Sequence, residues 1–405
     1  MYKYANGGIC MAKLGKETKK KIKTAVWLVL LAAFIAAGLY FTLRKTEPFE
    51  YTEADGKITI DRYNGKDTEV AVPAEIDGKP VTAIGRFCFS GRDDVTAVTL
   101  PDSIDRISIY AFEDCTSLTA INLPDGLEEI SAFAFRNAGL TSITVPEGVT
   151  AIREYAFVDC AALETAELPS TLTIIERYAF KGCTALKGTE LPELMVQVGE
   201  GAFMGCTSIE SMVFPMFTTS PDNENDDRIS VEPYTFKGCT SLTHIELSGE
   251  TYWIDREAFM GCTALEEVVT DGGCWVGERA FSGCSALKSF DFGGLDGGWV
   301  REYAFENCTS LRSVENTNNI RIIYEGAFSG CSALESIELT GITEQIGKDA
   351  FAGCDELIII TNDATAAAEY ARANGIRISV PEPTEAPTPD ETPAPTEAPE
   401  PTEAP

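Results

Sequence analysis

Ten cysteines share one position of a recurring phrase: Cys115, Cys160, Cys183, Cys206, Cys239, Cys262, Cys284, Cys308, Cys331 and Cys354. Thiols in such a row offer disulfide bridging, metal ligation or nucleophilic chemistry. No Cys-x-x-Cys occurs, so zinc-ribbon and dithiol-redox readings fail. Stacked copies of a repeat lie about 4.8 Å apart, within reach of disulfide geometry, and an extracellular address permits bridges. Yet Ala138 fills the position in one copy and its neighbours are polar. That is the pattern of a small hydrophobe turned into a core. Free, buried thiols are the expectation, and neighbouring bridges are the alternative.

Catalytic sets are missing. His244 is the single histidine, and it stands in a strand-like stretch beside Thr243 and Ile245. There is no G-x-S-x-G, no phosphate-binding loop and no H-E-x-x-H. Carboxylates are plentiful, so a glycosidase pair is chemically open, but they recur as a row: Glu167, Glu190, Glu246, Asp291, Glu315 and Glu338. Flanked by apolar positions, that row faces solvent. It reads as a solvated face, with a docking stripe for a basic or cation-bridged partner as the alternative. Asp222-Asn223-Glu224-Asn225-Asp226-Asp227 is rich in oxygen ligands but lacks the Gly and distant Glu of an EF-hand; a loop without bound ion is expected. No enzyme activity, cofactor or metal is predicted.

Trp253, Trp275 and Trp299 point to binding rather than catalysis. Each directly precedes a core aliphatic residue: Ile254, Val276 and Val300. In extended backbone, the neighbour of a core residue points outward. Three indoles then form an exposed strip, with Tyr252 beside it and Arg301 on the same face. Gly272-Gly273 and Gly297-Gly298 are expected to keep the approach open. Exposed apolar strips mark binding sites, and aromatic planes suit sugar rings or peptide side chains. The alternative is a ladder that only stiffens the fold. A second aromatic row, Phe87, Tyr110, Phe133, Tyr155, Tyr178, Tyr234 and Tyr303, reads as half-buried packing.

These residues are positioned by a repeat. Its marker is the Phe of an Ala-Phe-like pair: Phe89, Phe112, Phe135, Phe157, Phe180, Phe203, Phe236, Phe259, Phe281, Phe305, Phe328 and Phe351. Twelve copies follow one another at steps of 22 to 24 residues, apart from one of 33. Ile or Val stands five before every Phe, and usually Leu six after it, followed by a short strand such as Ile121-Asn122-Leu123. A period in this range signals a solenoid, in which stacked copies merge their apolar faces into one core. The fold class is therefore a repeat solenoid, mainly β with short helical or irregular segments.

The phrase I-x-x-x-A-F-x-G-C-x-x-L-x-x-I-x-L-P, seen plainly in Ile323 to Leu339, resembles the BspA-like leucine-rich repeat of bacterial and protozoan cell-surface proteins. The resemblance implies a leucine-rich-repeat solenoid over residues 83–361, an adhesion or interaction role, and varied protein or glycan partners.

The flanks define placement. Residues 1–23 form a basic tail. Thr24 to Leu43 is uncharged over twenty residues, enough at about 1.5 Å per residue to cross a hydrocarbon core of about 30 Å. Lys and Arg are richer before it than after it, so the positive-inside rule puts the tail in the cytoplasm and the repeats outside. One transmembrane signal anchor at 24–43 is expected; the alternative is a signal peptide cleaved after Ala37. Residues 44–82 read as a linker and N-terminal β cap, 215–230 as an insert, and 362–380 as a C-terminal cap with Asp363 able to start its helix. Residues 381–405, built almost wholly of Pro, Thr, Glu and Ala, cannot form a core and read as a disordered, extended tail. The net charge of −31 repels phosphate backbones, so nucleic acid is excluded as a partner. The expected function is adhesion, or protein or glycan interaction, at the cell membrane. The rivals are a surface spacer without a specific ligand and, more remotely, a carbohydrate-active enzyme.

Overall fold

The computed structural model describes residues 48–214, 229–247, 251–270, 272–293 and 298–381. Over them the chain winds into a β-solenoid of about 13 turns. The run Thr24 to Leu43, the acidic stretch Asp222 to Asp227 and the tail beyond Pro381 lie outside the described residues. Among the described residues no helix is long and apolar enough to cross a membrane.

Two strands recur in each turn. The first row ends on the Ile or Val five before the Phe. It runs in parallel from Lys57–Tyr63 through Lys79–Ile84, Arg106–Ile107, Glu129–Ile130, Ala151–Ile152 and Ile174–Ile175 to Gln197–Val198. It resumes with Ile229–Val231, Thr251–Ile254, Gly273–Val276, Gly298–Val300, Ile320–Ile323 and Gln345–Ile346. The second row follows the Ala-Phe turn, with parallel strands such as Thr165–Glu167, His244–Leu247 and Glu267–Thr270.

The lead-in is itself a turn of the solenoid. Ile60 lies opposite Ile84, Tyr63 stacks on Phe89 at 5.3 Å, and Glu69–Ala71 pairs with Ala97–Thr99. Tyr63 thus does the work of the marker Phe without an Ala-Phe pair to announce it. Phe49–Ala54 then pairs antiparallel with Lys57–Tyr63 and closes that end, covering an otherwise bare strand edge.

The core is a file of rings. All twelve marker Phe residues are buried, and neighbours stack nearly parallel at 5.0 Å (Phe89–Phe112) to 5.8 Å (Phe203–Phe236). The spacing is slightly wider than the separation of about 4.8 Å between neighbouring strands. A backbone ladder runs alongside. Each marker Phe N–H except that of Phe351 donates to the carbonyl just before the next marker, as from Phe135 to Ala156 at 2.8 Å and from Phe305 to Ala327 at 2.7 Å. The ladder also bridges the 33-residue step, where Phe203 donates to Thr235 at 3.0 Å.

A helix, Ala366–Asn374, covers the far end. Its N-cap is Thr365, whose side chain accepts from the Ala368 N–H. Asp363, the residue expected to cap, instead meets Arg372 at 3.0 Å. Gly375 closes the helix at φ 71°, the left-handed conformation that stops a helix. Arg377–Ser379 adds the last strand, beside Ile358–Ile360.

Candidate functional site

The tryptophans sit on consecutive strands of the first row. Trp253 is in register with Trp275 and Ile254 with Val276; Val276 pairs with Val300, and Trp299 pairs with Ile322. Ile254, Val276, Val300 and Ile323 are buried, so alternation turns the residue before each away from the core. Trp253 and Trp275 are half-buried, with ring centroids 5.7 Å apart and planes tilted by 42°. Trp299 is 38% exposed. A register irregularity between Gly298 and Trp299 separates it from the regular pairing of the other two. The strip is thus one leaning pair and one freer indole, less exposed than three open rings.

Arg301 takes its place at the end of the Trp299 strand, its N–H donating to the Val276 carbonyl at 3.1 Å. Its guanidinium lies 4.6 Å over the Tyr324 ring and 3.2 Å from Glu302. Tyr252 is on the Trp253 strand, its backbone opposite Cys274; its side chain lies outside the described residues. Two members were not foreseen. Ile322 continues the strip past Trp299, and Tyr324 stands four before its Phe, the same repeat position as Arg301. Counting that position along the repeats was the available signal. Of the four glycines expected to keep the approach open, Gly297 lies outside the described residues. Gly273 and Gly298 are buried, and a Cβ on Gly293 would fall 2.5 Å from the Gly272 carbonyl. Gly293 thus permits close contact between turns, whereas a Cβ on Gly298 would meet nothing nearer than the Asn319 carbonyl at 4.0 Å.

The thiols do structural chemistry. Each of the ten ladder sulfurs lies 3.0 to 3.2 Å from the carbonyl of the preceding marker Phe. They are free and buried, and each donates S–H across the turn-to-turn gap. Burial pushes Cys160 and Cys239 up to about 12, which keeps them protonated and unreactive. Among the described residues no cluster of His, Cys, Asp and Glu is fit to hold a metal. His244 faces Glu267 at 3.3 Å.

The acidic row is exposed at Glu167, Glu190, Glu246, Asp291, Glu315 and Glu338. Asp291 and Glu315 stand directly opposite each other, and Asp291 accepts from the Asn316 side chain at 2.6 Å. The other aromatic row is half-buried at Tyr110, Phe133, Tyr155 and Tyr178, with Phe87 44% exposed at its end. Its rings stack at 4.7 to 5.1 Å.

The repeat geometry agrees with one family, the BspA type leucine rich repeat region, which matches residues 82–210, 151–270 and 229–358. The chain belongs to the BspA-type leucine-rich repeat family. Solved structures similar to this BspA-type chain include a leucine-rich repeat protein of Bacteroides ovatus. It is 22% identical with a TM-score of 0.45, over 83% of this chain and 99% of that one. A leucine rich cell surface protein of Faecalibacterium prausnitzii is 23% identical with a TM-score of 0.42, over 81% and 96%. The pneumococcal vaccine antigen PcpA is 18% identical with a TM-score of 0.45, over 83% and 98%. No match is found among curated proteins.

Proposed function

We propose that this BspA-type protein is a membrane-anchored binding protein of the bacterial cell surface, and that it holds an extracellular protein or glycan against the first strand row of its C-terminal half. The observation that carries the reading is the register: three adjacent strands place an indole on the outer side of buried Ile254, Val276 and Val300. Ile322 lengthens the apolar strip, and Arg301 over Tyr324 borders it with a cation. Such a surface offers flat apolar contact with a polar rim, the anatomy of a binding patch. Thiols locked in the core and acids spread along an exposed row support a binding role over a catalytic one.

The test is an array of glycans and extracellular matrix proteins probed with the wild type and with Trp275→Ala. A ligand held by the wild type and released by the variant supports the reading. A ligand held equally by both places the binding face elsewhere, with the acidic row next. The second reading, a spacer without a ligand, draws on the half-burial and mutual contact of Trp253 and Trp275; it predicts no array signal for either protein. Placement is tested by adding protease to intact cells. An outside array on an anchor at Thr24 to Leu43 leaves a membrane fragment of residues 1 to about 45. A secreted chain beginning near Gly38 overturns the anchor.

A further inference from the structure

The last turn of the solenoid carries hydrogen-bonding groups that every other turn uses and it does not. At each junction between marker repeats, two N–H groups of the Ala-Phe turn cross to the next turn. One belongs to the Phe and the other to the residue two beyond it. Asn307 thus donates to Ser329 at 2.7 Å and Gly330 to Ala352 at 2.7 Å, flanking the Phe305 and Phe328 bonds. The residue two before the Phe adds a third at most junctions, as from Gly326 to Lys348 at 3.1 Å. In return the Phe carbonyl accepts the next thiol, as Phe328 does from Cys354 at 3.2 Å.

After Phe351 there is no next turn. Asp349 and Gly353 keep the left-handed backbone of their counterparts, φ 54° and 79°, so their N–H groups keep the same aim. Among the described residues neither meets an acceptor, and the Phe351 N–H finds only the Tyr370 hydroxyl at 3.4 Å. The capping helix completes the core and not the backbone. The Tyr370 ring meets Phe351 edge-on at 6.0 Å, where the next Phe would stack. Between the turn and the cap remains a cavity of about 250 Å³, lined by Asp349, Phe351, Gly353, Asp355, Asn374 and Arg377 among others.

We propose that this cavity is a peptide-binding site. An extended segment of another protein docks as the missing turn, its alternate carbonyls accepting from the Asp349 and Gly353 N–H groups and, in place of the Tyr370 hydroxyl, from that of Phe351. This is backbone-led recognition of the strand-addition kind, with its register given by the eleven junctions already in the chain. Tyr370 fills the aromatic place, so the segment carries small side chains at its centre. Asp349 and Asp355 border the cavity. Lys348, outside the lining, lies 3.5 Å from Asp349, and Arg377 is engaged by the Glu356 carbonyl at 2.6 Å and its carboxylate at 3.4 Å, which leaves Asp355 as the carboxylate without a paired cation among the lining residues. The segment is therefore basic at its ends. The chain's own Pro/Thr/Glu/Ala stretch and a second copy of this acidic chain fit that charge poorly.

The experiment is amide hydrogen exchange on the full-length protein, followed over residues 348–354, with end-blocked Lys-Gly-Ala-Ser-Lys and Glu-Gly-Ala-Ser-Glu as probes. The lysine peptide is expected to slow exchange at the three amides, and the glutamate peptide to do so at least tenfold less well, an estimate of order for like-charge juxtaposition. Asp349→Asn with Asp355→Asn, which keeps a residue type at ease in the left-handed region, is expected to erase the difference between the peptides. Absence of protection by either peptide, or equal protection by both in the wild type, overturns the proposal. Protection without peptide that disappears on removing residues 382–405 makes the chain's own tail the occupant and also overturns it. Protection that rises with protein concentration makes a second copy the occupant, with the same consequence.

Discussion

The two halves of the solenoid share one core and differ in almost everything outside it. In the N-terminal half the first-row strands are two residues long from Arg106–Ile107 to Gln197–Val198. A proline closes the preceding strand, and its carbonyl accepts from three residues on, as from Leu127 to Pro124 at 2.9 Å and Leu172 to Pro169 at 3.1 Å. This turn consumes residues that would otherwise extend the next strand. The C-terminal half lacks these prolines, and Thr251–Ile254, Gly273–Val276 and Ile320–Ile323 each run four residues. The lengthened strands are the ones that carry Trp253, Trp275 and Ile322. The outer aromatic row shifts in parallel. It is a continuous stack from Phe87 to Tyr178, whereas beyond the insert Tyr234 and Tyr303 face Arg256 at 5.1 Å and Arg279 at 4.4 Å. A shared Phe file and backbone ladder leave the surfaces free to diverge, and divergence without loss of fold is what a binding surface requires.

If the core is common, its largest losses should not distinguish the halves. Phe157→Ala and Phe259→Ala are each expected to cost about 3–5 kcal/mol, as for other buried aromatics. Phe89→Ala belongs with them, because Phe89 is buried between Tyr63 and Phe112 and is not the end of the file. Equilibrium unfolding of each variant checks this. A clear difference between Phe157 and Phe259 would break the picture of one uniform core.

The thiols do separate the halves. Arg92 and Ala138 replace the ladder cysteine in the N-terminal half, which keeps four, while all six later copies have one. Burial raises most of these thiols, to about 12 at Cys239, above an unfolded value of about 8.5. The folded state thus favours the protonated form. The associated stability is fully present below about pH 8.5 and is lost as pH rises towards 12, by up to about 1.4 kcal/mol per pH unit per thiol. The C-terminal half is expected to open first in alkali, read as exchange or proteolysis by half. Replacing Cys239, Cys262 and Cys284 by Ala should flatten that dependence; an unchanged alkaline profile would remove the thiols as its cause.

The period, the inward Phe and the inward Cys were legible in the sequence because each recurs at a fixed offset from the next. The first turn was not, because Tyr63 takes the Phe position without the Ala-Phe pair. At the candidate site, alternation from Ile254, Val276 and Val300 gave the outward side of the tryptophans. How far each is exposed was not legible, since it depends on neighbouring turns: the irregularity at Gly298 frees Trp299, and the contact with Trp275 partly buries Trp253.

Affinity should respond in the C-terminal half only. Trp275→Ala is expected to weaken ligand binding by about 1–3 kcal/mol, as for a central aromatic, with Trp299→Ala milder and nearly neutral for stability because that ring is freer. Tyr155→Ala, on the outer row of the other half, should leave affinity unchanged. Binding by titration against whichever array ligand emerges settles the order. A triple Ala variant at Trp253, Trp275 and Trp299 that binds like the wild type would mean that the strip only stiffens the coil.

The smallest effect concerns the stacked outer row, where two terms oppose. Tyr155 holds φ 57°, a conformation bulky residues adopt at a cost. Its ring lies 4.7 Å from Phe133 and 5.1 Å from Tyr178, and such aromatic pairs are worth about 0.5–1.5 kcal/mol beyond the area they bury. Tyr155→Gly removes the strain and the stacking together, and Gly already stands at the equivalent Gly201 with φ 59°. A net change within about 1 kcal/mol is expected, since the left-handed penalty it relieves is about 1–2 kcal/mol and the lost stacking and burial are of similar size. Tyr155→Ala keeps the strain and loses the ring, so it should be clearly worse than Gly. Thermal unfolding of the two variants side by side reads the difference. If Ala proves as stable as Gly, the left-handed backbone there carries no penalty, and the ring stack alone decides which residues the N-terminal half displays.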